Sequence, residues 1–221
     1  MGFAIVLAQK QACAGRAMII AHLAHRWAHH GRKVGLVDLD SKKHLTKWAN
    51  THRLRNLSLA PSQTWYAKTN VRNSKNQHDI TLIDCPNYPD HLFRSVCGEC
   101  DLVLAPCKPT SLDPKAIERI TRISGDEGTH CSVLVKHTSV HSVNIEPTLA
   151  RLKAQKTHVL KSRLSNRISF MSGFYEGNAS RKKGGPRPSA WDEIEALRKE
   201  LDHVLLRINE CAVMQPSLIH L

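Results

Sequence analysis

Short apolar runs alternate along this chain with stretches whose apolar positions recur every three or four residues. Residues 3–7, 34–38, 57–60, 80–84, 102–105, 131–135 and 158–160 read as strands. Residues 17–30, 42–53, 90–96, 114–123, 146–154, 167–176 and 190–208 read as helices. In the first helix Ile20, Ala21, Ala24, Trp27 and Ala28 share a face, and Gly31 closes it. Strands written as unbroken apolar runs are buried on both faces. The alternation therefore predicts an α/β fold: a twisted, mostly parallel sheet with helices on both faces.

Local signals support several helix starts. Asp113 places a capping carboxylate before Pro114, and Ser189 precedes a first turn containing Asp192 and Glu193. His22, His25 and His29 fall on one helical face with no acidic partner, so a polar outer face is expected there rather than a metal site. At 221 residues the chain suits one domain over 1–208, followed by a tail over 209–221 with no strong pattern.

Charge narrows the choice of partner. The formal net charge is +13, and Arg163, Arg167, Arg181, Lys182, Lys183 and Arg187 cluster late in the chain, the last four in a Gly/Pro-rich stretch. A basic loop of this kind suits phosphate contacts that ignore base sequence and weaken with salt, so non-specific DNA is the expected partner. The sequence carries no zinc-finger, homeodomain or RNA-recognition pattern. With no apolar run of about 18 residues and no leader pattern, no membrane span is expected and a cytoplasmic protein is. Seven scattered cysteines read as reduced, buried thiols. Cys97 and Cys100 form a Cys-x-x-Cys pair, but no second pair completes a zinc site.

Between the first strand and the first helix runs Ala8-Gln9-Lys10-Gln11-Ala12-Cys13-Ala14-Gly15-Arg16-Ala17-Met18. Further on come Val37-Asp38-Leu39-Asp40, then Thr81-Leu82-Ile83-Asp84-Cys85-Pro86, then Leu102 to Asp113 with Pro106 and Pro109. In order and spacing these segments resemble the ParA/MinD family of P-loop partition and positioning ATPases. The likeness spans nearly the whole chain.

That resemblance implies roles. Asp40 is expected to orient the attacking water. Asp84 is expected to hold Mg²⁺ through water and to govern the following switch loop. ATP or ADP is expected to lie against Gln11, Ala12, Cys13, Ala14, Gly15, Arg16, Ala17, Met18 and Pro109. For Asp38 a structural role, or one supporting the residues that meet the ligand, is expected, since strand-end acids also cap neighbouring helices.

The loop departs from the family pattern at most chemical positions. Gln11 replaces the signature Lys, with Lys10 as its stand-in under a second register. Ala12 and Cys13 replace glycines, Arg16 replaces the phosphate-binding Lys, and Ala17 replaces the metal-binding Thr. Only Gly15 is intact. A Cβ where φ > 0 is required costs about 1–2 kcal/mol. Two or three lost charge-assisted hydrogen bonds weaken Mg-ATP binding by about 10² to 10⁵ fold. A degenerate ATPase is therefore expected, acting in partition or cargo positioning as a nucleoid-associated homodimer, beside a ParB-like protein or an active paralogue. Two further readings stay open: a noncatalytic scaffold with the same fold, and an active ATPase or amide ligase that tolerates the altered loop.

Overall fold

The computed structural model describes residues 2–9, 15–61, 63–86, 89–109, 113–138, 145–165, 168–176 and 189–214. Seven strands, β1 (Phe3–Ala8), β2 (Val34–Asp38), β3 (Leu57–Leu59), β4 (Ile80–Cys85), β5 (Leu102–Cys107), β6 (His130–Thr138) and β7 (His158–Ser165), form one sheet in the order β3-β2-β4-β1-β5-β6-β7. Every neighbouring pair is parallel. The sheet is the one expected from the sequence.

Side chains alternate across each strand, and the two faces build separate core layers. Ile5 and Leu7 of β1 join a layer with α1 (Gly15–His29), α2 (His44–His52), α7 (Ile168–Glu176) and α8 (Ala190–Met214). Ala4, Val6 and Ala8 face the opposite layer, made with α3 (Ala67–Gln77), α4 (Asp90–Cys97), α5 (Pro114–Asp126) and α6 (Glu146–Ala154). Cys85, Cys97, Cys100, Cys107 and Cys131 all lie in this second layer as small apolar groups. Burial pushes the Cys97 thiol up to about 12.

The first helix ends as its sequence suggests. Gly31 adopts φ +81° while its N–H and that of Arg32 donate to the carbonyls of Ala28 and Trp27. Asp113 caps α5 by accepting from the Ala116 N–H at 3.2 Å, and Ser189 exchanges hydrogen bonds with Asp192 at the start of α8.

Several features differ from expectation. Helix α3 lies in a stretch assigned no element from the sequence, because its inward face is built from Ala67, Asn70, Val71 and Ser74, two of them polar. Helix α8 continues through residues assigned to the tail, as far as Met214. His22 is not on an outer polar face. It is 1% exposed, packs edge-on against Phe170, and donates from Nε2 to the Phe170 carbonyl at 2.9 Å. That hydrogen bond satisfies the ring, so an imidazole occupies a core position.

Helix α1 is clasped to α8 by charge as well as packing. Arg26, 4% exposed, donates to Glu195 from Nε at 2.9 Å and Nη2 at 2.7 Å, and its guanidinium lies 4.1 Å from the centre of the Trp191 ring. Trp27 Nε1 donates to Asp202 at 2.9 Å. Burial pushes the Glu195 carboxyl up, but hydrogen bonds from Arg198 and Arg26 outweigh it and hold it down at about 2.

Candidate functional site

In an open parallel sheet the ligand site lies beyond the carboxyl ends of the strands. Register sets which residues meet there. Leu7 of β1 and Asp38 of β2 both pair with Asp84 of β4, so the strand-end acids stand side by side at one level. The Leu39 N–H then donates to the Asp84 carbonyl at 3.0 Å, which brings Asp40 over the same edge.

The helix that follows β1 supplies the third component. Arg16 sits in the first turn of α1, where side chains lean toward the helix N-terminus and hence over the strand ends. Its Nε donates to Asp84 Oδ1 at 2.7 Å and its Nη2 to Asp40 Oδ2 at 3.0 Å. The Arg16 side chain is 1% exposed, that of Asp84 3% and that of Asp40 19%. One guanidinium thus bridges a carboxylate near the end of β4 and one in the turn just after β2. Its planar fork suits that geometry better than a Lys ammonium would.

Each neighbouring acid has other work. Asp40 Oδ1 accepts from the Lys42 N–H at 3.0 Å, shaping the turn into α2. Asp38 Oδ2 accepts from both the N–H and the hydroxyl of Thr46 at 2.8 Å, and Oδ1 from the Asp40 N–H at 3.1 Å. Asp38 therefore has the structural, helix-capping role expected of it. Burial pushes the Asp84 carboxyl above its ordinary value. Arg16 opposes that rise, while the charges of Asp38 and Asp40 add to it.

The other expected ligand residues are placed as follows. Gln11, Ala12, Cys13 and Ala14 lie outside the described residues, as does the second-register Lys10. Gly15 opens α1, Ala17 is 3% exposed within the core, and Met18 packs against the same layer. Pro109 follows β5, and its carbonyl accepts from the Thr148 hydroxyl at 3.5 Å. Of the six basic residues expected to contact DNA, only Arg163 lies within the described residues. It is half-buried on β7, with its guanidinium turned back to the carbonyls of Leu160 and Ser162.

The donor set fits a guanidinium, not a divalent metal. Mg²⁺ requires near-octahedral oxygen ligands at about 2.0–2.1 Å. Here the facing oxygens of Asp40 and Asp84 already accept from Arg16, and Ala17 carries no side-chain oxygen. Among the described residues no group of three or more His, Cys, Asp or Glu is arranged to hold a metal ion.

The fold matches that of cell division ATPase MinD from Pyrococcus furiosus, with TM-score 0.68, 16% identity, and coverage of 92% of this chain and 100% of that one. No family model matches the chain. Over 209 residues it is 22% identical to Protein ParA of Rhizobium radiobacter, an alignment that covers 87% of this chain and 93% of that protein. In structure it is similar to apo McdA of Cyanothece, with TM-score 0.71, 14% identity, and coverage of 91% of this chain and 100% of that one. It is also similar to the septum site-determining protein MinD complexed with Mg-ADP from Pyrococcus horikoshii OT3, with TM-score 0.70, 14% identity, and coverage of 94% and 99%. The curated relative and the solved structures point the same way, to a likeness with ParA/MinD-type proteins. Among the described residues no helix is long and apolar enough to cross a membrane.

Proposed function

We propose that this chain is a ParA-like partition or positioning protein that binds DNA without regard to base sequence, associates with a second copy of itself, and has a weakened or lost nucleotide cycle. One observation carries the reading: the buried Arg16 bridges Asp40 and Asp84, the two acids whose counterparts serve water activation and Mg²⁺ in the family. A catalytic pair held in that way is not free to position water or metal. The similarity to ParA supports the partition role, and a net charge of +13 supports the anionic partner.

ATP or ADP binds weakly in this reading, through the N-terminus of α1 and whatever attraction Arg16 retains for phosphate. The DNA contacts are assigned to Arg181, Lys182, Lys183 and Arg187, with Arg163 and Arg167 beside them, at the surface of the nucleoid. The partner is a ParB-like protein or an active paralogue.

The test is retention of unrelated DNA duplexes over a range of salt, with and without Mg-ATP. Binding is expected to be indifferent to sequence and nucleotide, to fall steeply with salt, and to weaken when the four basic residues at 181–187 become Glu. DNA binding that appears only with ATP refutes the lost cycle. A dimer that ignores DNA altogether supports instead the noncatalytic scaffold, which the same Arg16 bridge also favours.

A further inference from the structure

Arg16 departs from what its surroundings were expected to hold, and the departure has a chemical meaning. Three carboxylates, Asp38, Asp40 and Asp84, converge at the carboxyl ends of β2 and β4. Such a concentration of negative charge in a buried place needs a cation, because an uncompensated buried carboxylate is costly. Asp38 is stabilised by four hydrogen-bond partners around its carboxylate and carbonyl: the N–H groups of Asp40 and Thr46, the Thr46 hydroxyl, and Lys43 Nζ on the carbonyl. Asp40 and Asp84 are left to share the guanidinium of Arg16.

We infer that Arg16 is a covalently attached substitute for the divalent cation of this site, and that the folded chain excludes Mg²⁺ and Mn²⁺ because its own cation already neutralises Asp40 and Asp84. This goes beyond the proposed function, since it holds whether or not the chain binds DNA. Two features make the substitution self-consistent. Ala17 removes the hydroxyl that a metal would use, at the residue next to the one that supplies the charge. The first turn of α1 also fixes where the guanidinium falls, so the charge stays in place when no nucleotide brings a metal in. A metal entering beside Arg16 would meet a like charge, which disfavours it further.

The experiment uses Mn²⁺ alone as the probe, with the free ion followed by electron paramagnetic resonance and no nucleotide present. Wild type, Arg16→Ala and Arg16→Gln are each refolded in Mn²⁺ and in chelator. Wild type is expected to leave the free Mn²⁺ signal unchanged and to fold alike in both media. Each variant is expected to bind Mn²⁺ at least about tenfold more tightly than wild type and to melt higher in its presence, because a ligand that binds only the native state stabilises it. Mn²⁺ binding by wild type as tight as that of the variants overturns the inference. So does a pair of variants that fold equally in both media and bind no metal, or that fail to fold equally in both. The inference shares the Arg16 bridge with the proposed loss of the nucleotide cycle, so its failure removes that part of the proposal. Because no DNA enters the assay, its failure leaves the DNA-binding reading standing, and failure of DNA binding leaves this inference standing.

Discussion

Acid is expected to loosen this protein chiefly through His22. Burial pulls its pKa from 6.5 down to about 4, against the Phe170 carbonyl, which favours the protonated ring, and with a small contribution from His25. In the unfolded chain the ring titrates near 6.5, so between there and about 4 the unfolded state binds a proton that the native state refuses. Stability is therefore complete above pH 6.5 and falls as the pH drops toward 4. The two values differ by about two to three pKa units, each worth roughly 1.4 kcal/mol, so the loss is on the order of 3 kcal/mol. That is a large share of the 5–15 kcal/mol or so that stabilises a typical domain. His22→Gln keeps a donor within reach of the Phe170 carbonyl and removes the titration. Urea unfolding of both proteins from about pH 7 to about pH 4 provides the measurement. Wild type is expected to lose about 3 kcal/mol more than the variant across that window. His25 and His130 are also pulled down by burial, but they are present in both proteins and cancel. Identical slopes for the two proteins, or an imidazole at position 22 that titrates near 6.5 in the native state, refute the reasoning.

Other outcomes are equally concrete. Arg26→Ala removes one of the two arginines that neutralise Glu195, leaving Arg198 in place, and is expected to cost about 1–3 kcal/mol by thermal or urea unfolding, with Arg26→Met costing less than Arg26→Ala because it keeps the packing between α1 and α8. Gly35→Ala places a methyl group 2.3 Å from Ser74 Oγ and 2.7 Å from His78 Nδ1, and a loss of about 1–3 kcal/mol is expected in the same assay. Restoring the family residues together, Arg16→Lys with Ala17→Thr, is expected to tighten Mg-ATP binding about tenfold or more by calorimetry, and no gain would locate the defect elsewhere in the pocket. In the native protein Cys211 is expected to react quickly with a thiol reagent, while Cys85, Cys97, Cys100, Cys107 and Cys131 wait for unfolding.

The sheet was legible because each buried strand is written as an apolar run that nothing else explains, and the acids at its edge follow from where those runs stop. Helix α3 was illegible for the opposite reason: Asn70 and Ser74 stand where periodicity looks for apolar residues. The only trace was Ala67, Val71 and Ser74, spaced four and three apart. His22 misleads in the same way, since a ring that finds a carbonyl partner behaves as core despite its polarity. At the site, the replacement of Lys and Thr by Arg16 and Ala17 was readable from the sequence. The destination of Arg16 was not. Its partners lie 68 and 24 residues away, and only the register of β2 against β4 brings them together.

Helix α1 is fastened at two points ten residues apart, to the strand ends through Arg16 and to α8 through Arg26 and Trp27. Three turns of helix, about 15 Å, separate these anchors and form a stiff rod between them. A shift of that first turn that draws Arg16 off its two acids is carried along the rod to its other end, where Glu195 and Asp202 hold it.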